Sequence, residues 1–392
     1  MKEKESIPKN NINDIWFIMF YSLALFGSYL LTTPLSYSHG NLLKVFVFLV
    51  SLMNILRIPL FNKIQSCKLI FSLMILLISI LSFLRTGNFI IISFSLLLIG
   101  STNIDFHLIV KVYFFTALVT LIIVFLCAKK GIIANFDSIG KNGQIVHAYG
   151  SIYYTNFAAH IFYIVLAYSL LKKFEFNYLD YIITFLISFW LIFKYTTRLD
   201  GYLVFILLLT IIFKKKLFTL LANKLVKKVM IIIPIFLIFL ELLLCVTYKY
   251  NGIYYELDKI FSNRLSQSYI GFNNYSIKLF GQQIQMQGYG GVSAAQHAFV
   301  KYFYLDSSFV QLLLIEGLVF FVLILVLLFY NNYKFLNKNA YILCISLLLV
   351  TISSLVDENL IFVAYNFTLL ATFANVDKFS VRKDENSKEL FI

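Results

Sequence analysis

Charge is scarce in this chain. Of 392 residues only 13% are Asp, Glu, Lys or Arg, against 60% hydrophobic, a balance that excludes a water-soluble globular protein. Cysteine is scarcer still. Cys67, Cys127, Cys245 and Cys344 lie scattered among apolar runs without the spacing of a metal or redox motif, so they read as small membrane residues. No internal repeat and no low-complexity linker divides the chain, which is expected to form one domain over residues 1–392. A cleavable signal sequence is not evident either: the first apolar run follows a charged tail and lacks a small-residue cleavage pattern before Pro34. It reads as a first helix that stays.

What the chain has in quantity is apolar runs. A spanning helix needs about 20 residues at about 1.5 Å rise each, and the runs are continuously apolar rather than alternating, which points to helices and not to a barrel. The expected fold is an all-α polytopic membrane protein with about 12 transmembrane helices and one long extracellular loop. The spans read as Ile15–Thr33, Leu42–Leu56, Leu69–Leu84, Phe89–Gly100, Leu108–Cys127, Phe157–Leu171, Tyr181–Phe193, Tyr202–Phe213, Val229–Val246, Phe309–Tyr330, Ala340–Leu355 and Leu360–Ala374. With the N-terminus inside, 21 of the 33 basic residues fall on the inner side, as the positive-inside rule requires of short connections. The fourth run is the weakest, yet dropping it would reverse every later loop and put the Lys214–Lys228 cluster outside. A multi-pass plasma-membrane protein with both termini cytoplasmic is therefore expected, with the bilayer as a partner and no nucleic acid.

The same parity places two long segments outside, Ala128–Ile152 and Tyr248–Leu305. Long loops are where binding and lids concentrate. The second combines glutamines (Gln267, Gln282, Gln283, Gln285, Gln287, Gln296) with tyrosines (Tyr269, Tyr275, Tyr289, Tyr302, Tyr304), and amides with aromatic faces suit a carbohydrate. Arginine is rare: of five, Arg85, Arg198 and Arg264 fall on the outer side, against the topology rule. Guanidinium offers bidentate, permanently charged clamps for phosphate oxygens; the bland alternative is a side chain that snorkels to the headgroups.

In YLDSSFVQLLLIEGLVFF, Tyr304–Phe321, helical spacing puts Asp306, Phe309, Val310, Leu313 and Gly317 near one face. Asp306 would stand at the water-facing mouth or cap the helix with Ser307 and Ser308, and Gly317 would admit a neighbouring helix. Glu316, deeper, needs a partner, a proton or a wet cavity. His147 and His297 are outer histidines able to act as a base near neutral pH. His160 and Glu241, within spans, read as halves of buried polar contacts. Gly288–Gln296, GYGGVSAAQ, is glycine-rich and could nest an anion. Asp357 and Glu358 stand in the last tight outer turn.

Four stretches in this order resemble the Wzy-type polysaccharide repeat-unit polymerases of Gram-positive capsule and exopolysaccharide pathways, relatives of the O-antigen ligases. GSIYYTNFAA (Gly150–Ala159) is similar to the family's opening of the sixth span, and TTRLDG (Thr196–Gly201) to its Ser/Thr-Arg turn. NRLSQSYIGFNNYSIKLFGQQI (Asn263–Ile284) resembles its Arg-Leu segment running to Phe-Gly. YLDSSFVQLLLIEGLVFF resembles its motif of a His or Asp eleven positions before a Gly. Two departures stand out: the ligase branch has His where this chain has Asp306, and the Arg198 turn lacks the usual following Ser or Thr.

The resemblance implies a membrane-embedded glycosyltransferase that moves a growing glycan from a lipid diphosphate, undecaprenyl in type, to the non-reducing end of a new lipid-linked repeat unit on the outer leaflet. Arg198 and Arg264 would hold the departing diphosphate, and Asp306 or His297 would serve the acceptor hydroxyl. Asn156, Lys194, His147, Gln311, Tyr304 and Glu358 would bind substrate. No cofactor and no metal is implied, since arginines supply the positive charge. The partners would be undecaprenyl-diphosphate-linked oligosaccharides, with the flippase and chain-length regulator of the same pathway. The rivals are a ligase transferring to another acceptor and a lipid-linked oligosaccharide flippase or other transporter.

Overall fold

The computed structural model describes residues 9–61, 66–140, 143–288, 302–383 and 389–391, and 73% of the chain is helical. Among the described residues fifteen α-helices follow in order: α1 (Lys9–Leu30), α2 (Leu35–Phe61), α3 (Ser66–Thr86), α4 (Phe89–Gly100), α5 (Phe106–Lys129), α6 (Tyr154–Leu171), α7 (Tyr178–Phe189), α8 (Arg198–Ile212), α9 (Lys214–Ala222), α10 (Lys224–Val246), α11 (Gly252–Ile260), α12 (Arg264–Asn274), α13 (Ser308–Gln311), α14 (Leu318–Asn337) and α15 (Tyr341–Ser354). Two short antiparallel hairpins, β1 (Asp137–Ile139) with β2 (Ile145–His147) and β3 (Val381–Lys383) with β4 (Glu389–Phe391), complete the described elements.

Among the described residues six helices are long and apolar enough to cross a membrane: α2, α3, α5, α6, α10 and α14. Several outward faces are greasy: α10 exposes Ile232, Phe236, Phe239 and Leu243, and α3 exposes Ile70, Leu73 and Leu77. A soluble domain does not leave such stripes open, whereas hydrocarbon covers them. Helix ends are set by polar caps. Asn88 accepts from the Ile90 amide, Asp105 from His107 and Asn223 from Leu225, while Asn177 and Asp180 form a reciprocal capping box. The weak fourth run is α4, and from Ile91 to Gly100 every residue is buried; a helix apolar all round belongs inside a bundle.

Contacts sort the connections into two groups. At one end, buried Arg57 donates to Asn13 and to the carbonyls of Gly100 and Thr102. There too Lys378 meets Asp105 at 2.5 Å, Lys338 meets Asp377 at 2.6 Å, and Lys227 donates to Leu336 and Asn339. At the other end, Ile152 bonds back to Thr32, Tyr195 to His147, Asn88 to Glu316, and Arg264 to Asp357. The grouping is the one that loop parity requires of an alternating helical chain.

Two expected spans are not continuous helices, and a third, Tyr181–Phe193, leaves the α form for a π-turn at Trp190–Lys194. Leu360–Ala374 runs as turns and a 3-10 segment at Thr368–Thr372, deeply buried. Its freed carbonyls find distant donors: Tyr113 on Ala364, Ser101 on Leu370, and the Lys334 ammonium on Ala371, Thr372 and Ala374. Irregular backbone is tolerated at such depth only when protein satisfies it.

The tenth expected span breaks after a π-turn, Leu312–Glu316, at Gly317 (φ 99°, ψ 160°). What approaches Gly317 is an irregular segment of the long loop, Lys278–Gln282, rather than a helix. Gln282 N donates to Ile315 O, and Leu318 N and Val319 N donate to Lys278 O and Leu279 O. A Cβ on Gly281 (φ 87°) would overlap the Ile315 carbonyl, and one on Gly317 would overlap the Gly281 amide, so both positions admit only glycine. At the start of α2 the helix is kinked at His39 (φ −127°, ψ 16°).

Candidate functional site

The long loop is folded. Tyr248 donates to Asp258, and Asp258 Oδ1 accepts from the Leu265 and Ser266 amides at 2.9 and 3.2 Å. This buried carboxylate fixes the start of α12, and Arg264 is its first residue. Ser307, not Asp306, caps α13, accepting from Phe309 and Val310, which leaves the Asp306 carboxylate free to face Arg264. Ser308 clips the last tight turn by donating to Asp357 O and accepting from Leu360 N.

These supports bring three acidic side chains around one guanidinium. Arg264 Nη2 bonds Asp357 at 3.1 Å, and Nε stands 3.5 Å from Asp306 without forming a hydrogen bond. The side chains of Arg264, Asp306 and Asp357 keep 19%, 27% and 16% of their surface, so the cluster is desolvated but reachable. Asp200, buried in α8, interacts electrostatically with Asp357 and Arg264. Desolvation raises the Asp306 carboxyl to about 6, with Arg264 opposing and Asp357 reinforcing. Asp357 is likewise raised by desolvation against the pull of Arg264. Desolvation works against the Arg264 charge, but Asp306 and Asp357 outweigh it and hold the group above its ordinary value.

Two adjoining cavities open here. The smaller, about 320 Å³, is walled by Arg264, Asp306, Asp357 and Tyr302; the larger, about 740 Å³, is walled by His39, Lys44, Asn88, Gln311 and Glu316. Tyr153, Asn156, Tyr304 and Glu358 line both. Glu358 receives the Tyr304 hydroxyl at 3.0 and 2.9 Å and Gln311 Nε2 at 2.7 Å. The protein packed around it raises its carboxyl to about 7, with the Gln311 and Tyr304 hydrogen bonds pulling the other way. One turn below Asn156, His160 is stacked between Tyr29 and Tyr365, ring centroids 3.8 and 4.3 Å away, and bonds Thr32 at 2.9 Å, which makes it a packed polar contact beneath the cavities. Among the described residues no group of three or more His, Cys, Asp or Glu is placed to hold a metal ion.

Of the residues singled out in the sequence, the structure gathers Arg264, Asp306, Asn156, Tyr304, Gln311 and Glu358. It leaves three apart. Arg198 opens α8 with an exposed side chain and lines neither cavity. Lys194 is exposed at the end of the π-turn after α7, and His147 pairs with Asp137 at 2.6 Å on the hairpin, half exposed. His297 lies outside the described residues, as does the Gly288–Gln296 stretch beyond Gly288. Sequence reasoning missed Asp200, which follows Arg198 by two in TTRLDG and turns inward where the arginine turns out. It also missed Asp258 and Tyr153, whose only signal is a carboxylate just ahead of the loop arginine and the tyrosine pair before Thr155-Asn156. Comparison with known proteins returns no match to a family profile, a curated protein or a solved structure.

Proposed function

We propose that this chain is a membrane glycosyltransferase of the Wzy type. On this reading it polymerises oligosaccharide repeat units carried on a lipid diphosphate into capsular polysaccharide or exopolysaccharide at the outer face of the plasma membrane. The observation that carries the reading is the meeting of two cavities at one wall, beside an arginine whose Nε–H has no hydrogen-bond partner among the described residues. A polymerase brings two glycans together, one leaving a diphosphate and one offering a hydroxyl, and so needs two compartments that communicate. Their volumes lie in the range of small-molecule sites, about 300–1,000 Å³. Tyr153, Tyr302 and Tyr304 offer faces for sugar rings, and Asn156 and Gln311 offer amides for hydroxyls.

The donor's diphosphate sits at Arg264, displacing Asp306, the partner that makes no hydrogen bond, while Asp357 keeps the guanidinium in place. As the anomeric C–O bond breaks, charge collects on the departing oxygen and the fixed guanidinium stabilises it. Arg198, exposed and lining neither cavity, contributes from outside them with Lys194. The cation-rich end of the bundle faces the cytoplasm with both termini, and the flippase and chain-length regulator of the pathway are the expected neighbours.

The test is complementation of a cell that lacks its own polymerase but makes the matching repeat unit. Wild type is expected to give a ladder of lipid-linked glycans, and Arg264→Ala at equal membrane level only single units. Repeat units stranded on the cytoplasmic leaflet in the deletion strain would overturn the reading in favour of a transporter.

A further inference from the structure

Four carboxylates line the two cavities, and they differ in what faces them and in which cavity they serve: Glu316 bonds the Asn88 amide and lines only the larger cavity. Asp306 and Asp357 share the charge of Arg264, which hydrogen-bonds Asp357 and stands 3.5 Å from Asp306. Glu358 receives only neutral donors, the Tyr304 hydroxyl and the Gln311 amide, so its negative charge is uncompensated. It is also the carboxylate that lines both cavities, where a hydroxyl arriving through the larger space meets an anomeric carbon held in the smaller. We propose that Glu358 is the catalytic base of the transfer, accepting the proton of the acceptor hydroxyl; the proposal rests on the glycosyltransferase reading above.

The step balances as follows. The acceptor oxygen forms a bond to the anomeric carbon and its proton passes to a Glu358 carboxylate oxygen. The bond from that carbon to the lipid diphosphate breaks, and the diphosphate oxygen keeps the electron pair beside Arg264. Glu358, open to the larger cavity, then returns the proton to solvent. The carboxyl's raised position, about 7, suits a base working near neutral pH. The titratable groups around it are Tyr304 and Tyr302 ahead of α13, Tyr153 ahead of α6, Tyr365 in the last buried segment, and, lining the same larger cavity, His39 and Lys44 of α2 and Glu316. Asp306 and Asp357 add negative charge nearby. Nothing cationic bonds Glu358 among the described residues.

The experiment uses the full chain in lipid nanodiscs with a lipid-diphosphate-linked repeat unit as substrate, following polymer formation against pH. Wild-type kcat is expected to rise as pH passes about 7. Glu358→Gln is expected to lower kcat by about 10²-fold or more, to erase that acid limb, and to leave KM within about threefold, consistent with loss of a transition-state contact alone. Tyr304→Phe, which removes a donor to the charged form, is expected to move the limb to higher pH. Glu358→Gln with near-wild-type kcat and an unchanged limb overturns the proposal. Should Glu358→Gln fail to reach the membrane, Glu358→Asp and Tyr304→Phe decide: a limb unmoved in both overturns it. A wild-type protein that binds the substrate but makes no polymer fails the glycosyltransferase reading instead, so the two failures are distinguishable.

Discussion

The two ends of this molecule use charge in opposite ways. At the basic end, cations meet neutral acceptors or single carboxylates. Lys338 meets Asp377, Lys378 meets Asp105, Lys334 caps three carbonyls, and buried Arg57 has three acceptors, though its Nε–H, like that of Arg264, is without a partner among the described residues. At the cavity end carboxylates outnumber the cation. Arg264 faces both Asp306 and Asp357, and among the described residues Glu358 is bonded by a hydroxyl and an amide. Groups held in place yet incompletely satisfied cost stability and are retained where a ligand completes them. On the proposed function, anchoring contacts gather at one end of the bundle and the cavities at the other, and substitutions at the two ends should behave differently.

The largest effect is expected from the junction beneath the cavities. Gly281→Ala or Gly317→Ala places a methyl group against backbone at a positive φ and should cost ~4 kcal/mol or more, read as loss of the monodisperse peak in fluorescence-detected size exclusion. Next comes Arg264→Ala, with turnover down about 10²–10³-fold at unchanged protein level, whereas exposed Arg198→Ala should lose less than tenfold on the scale of a remote charge. Equal losses in the two would erase the distinction between a cavity arginine and a rim arginine. Asp258→Ala, which strips the cap from α12, should cost about 1–2 kcal/mol and reduce activity through misplacement of Arg264; a melting temperature equal to wild type would count against it.

A pH-dependent contrast follows from Asp306. Its carboxyl is raised to about 6 from an ordinary 3.8, so the native state favours the protonated form, and that contribution is lost as pH rises through about 6. Asp306→Asn should therefore be more thermostable than wild type at pH 8, with the advantage shrinking below pH 6; thermal-shift curves at pH 5 and 8 check the sign. The smallest effect belongs to the basic end. Lys338→Met breaks a solvent-exposed pair worth about 0–1 kcal/mol and should leave stability and polymer nearly untouched, which an equally large change at both ends would contradict.

Much of this was legible before any coordinates. Charge placement sorts the loops into two groups, since the cost of burying Lys and Arg in hydrocarbon acts on every connection alike, and the contacts between connections fall into two groups as well. Eleven of the twelve expected spans coincide with helical structure. Leu360–Ala374 misled because a mostly apolar run reads the same whether its carbonyls bond to the next turn or to Lys334, Ser101 and Tyr113, residues far away in sequence. Gly317 was read as a helix contact since nothing local reveals that Leu279–Gln282 will insert beside it. At the site, Arg264 and Asp306 stood out as rare charges in wrong places, a signal of free-energy cost. Asp200 did not: one residue past Leu199 it reads as an ordinary first-turn acid, and only packing turns it toward Arg264 while Arg198 turns away.

The insertion of the loop into the bundle at Gly281 and Gly317 bears on how a lengthening product could be accommodated. A segment stitched by three backbone hydrogen bonds into the helix break behaves as a seam, so the wall bearing Arg264 keeps its distance from the spans whatever fills the cavities. On the proposed function, room is then made on the side of the larger cavity lined by Ser36–Leu42 and Lys44, whose helix is already bent at His39. The site would work like a vice with one fixed jaw. Backbone hydrogen exchange is expected to change over residues 36–44 on loading with glycan and to stay slow over 278–284; the reverse pattern would put the moving jaw on the loop.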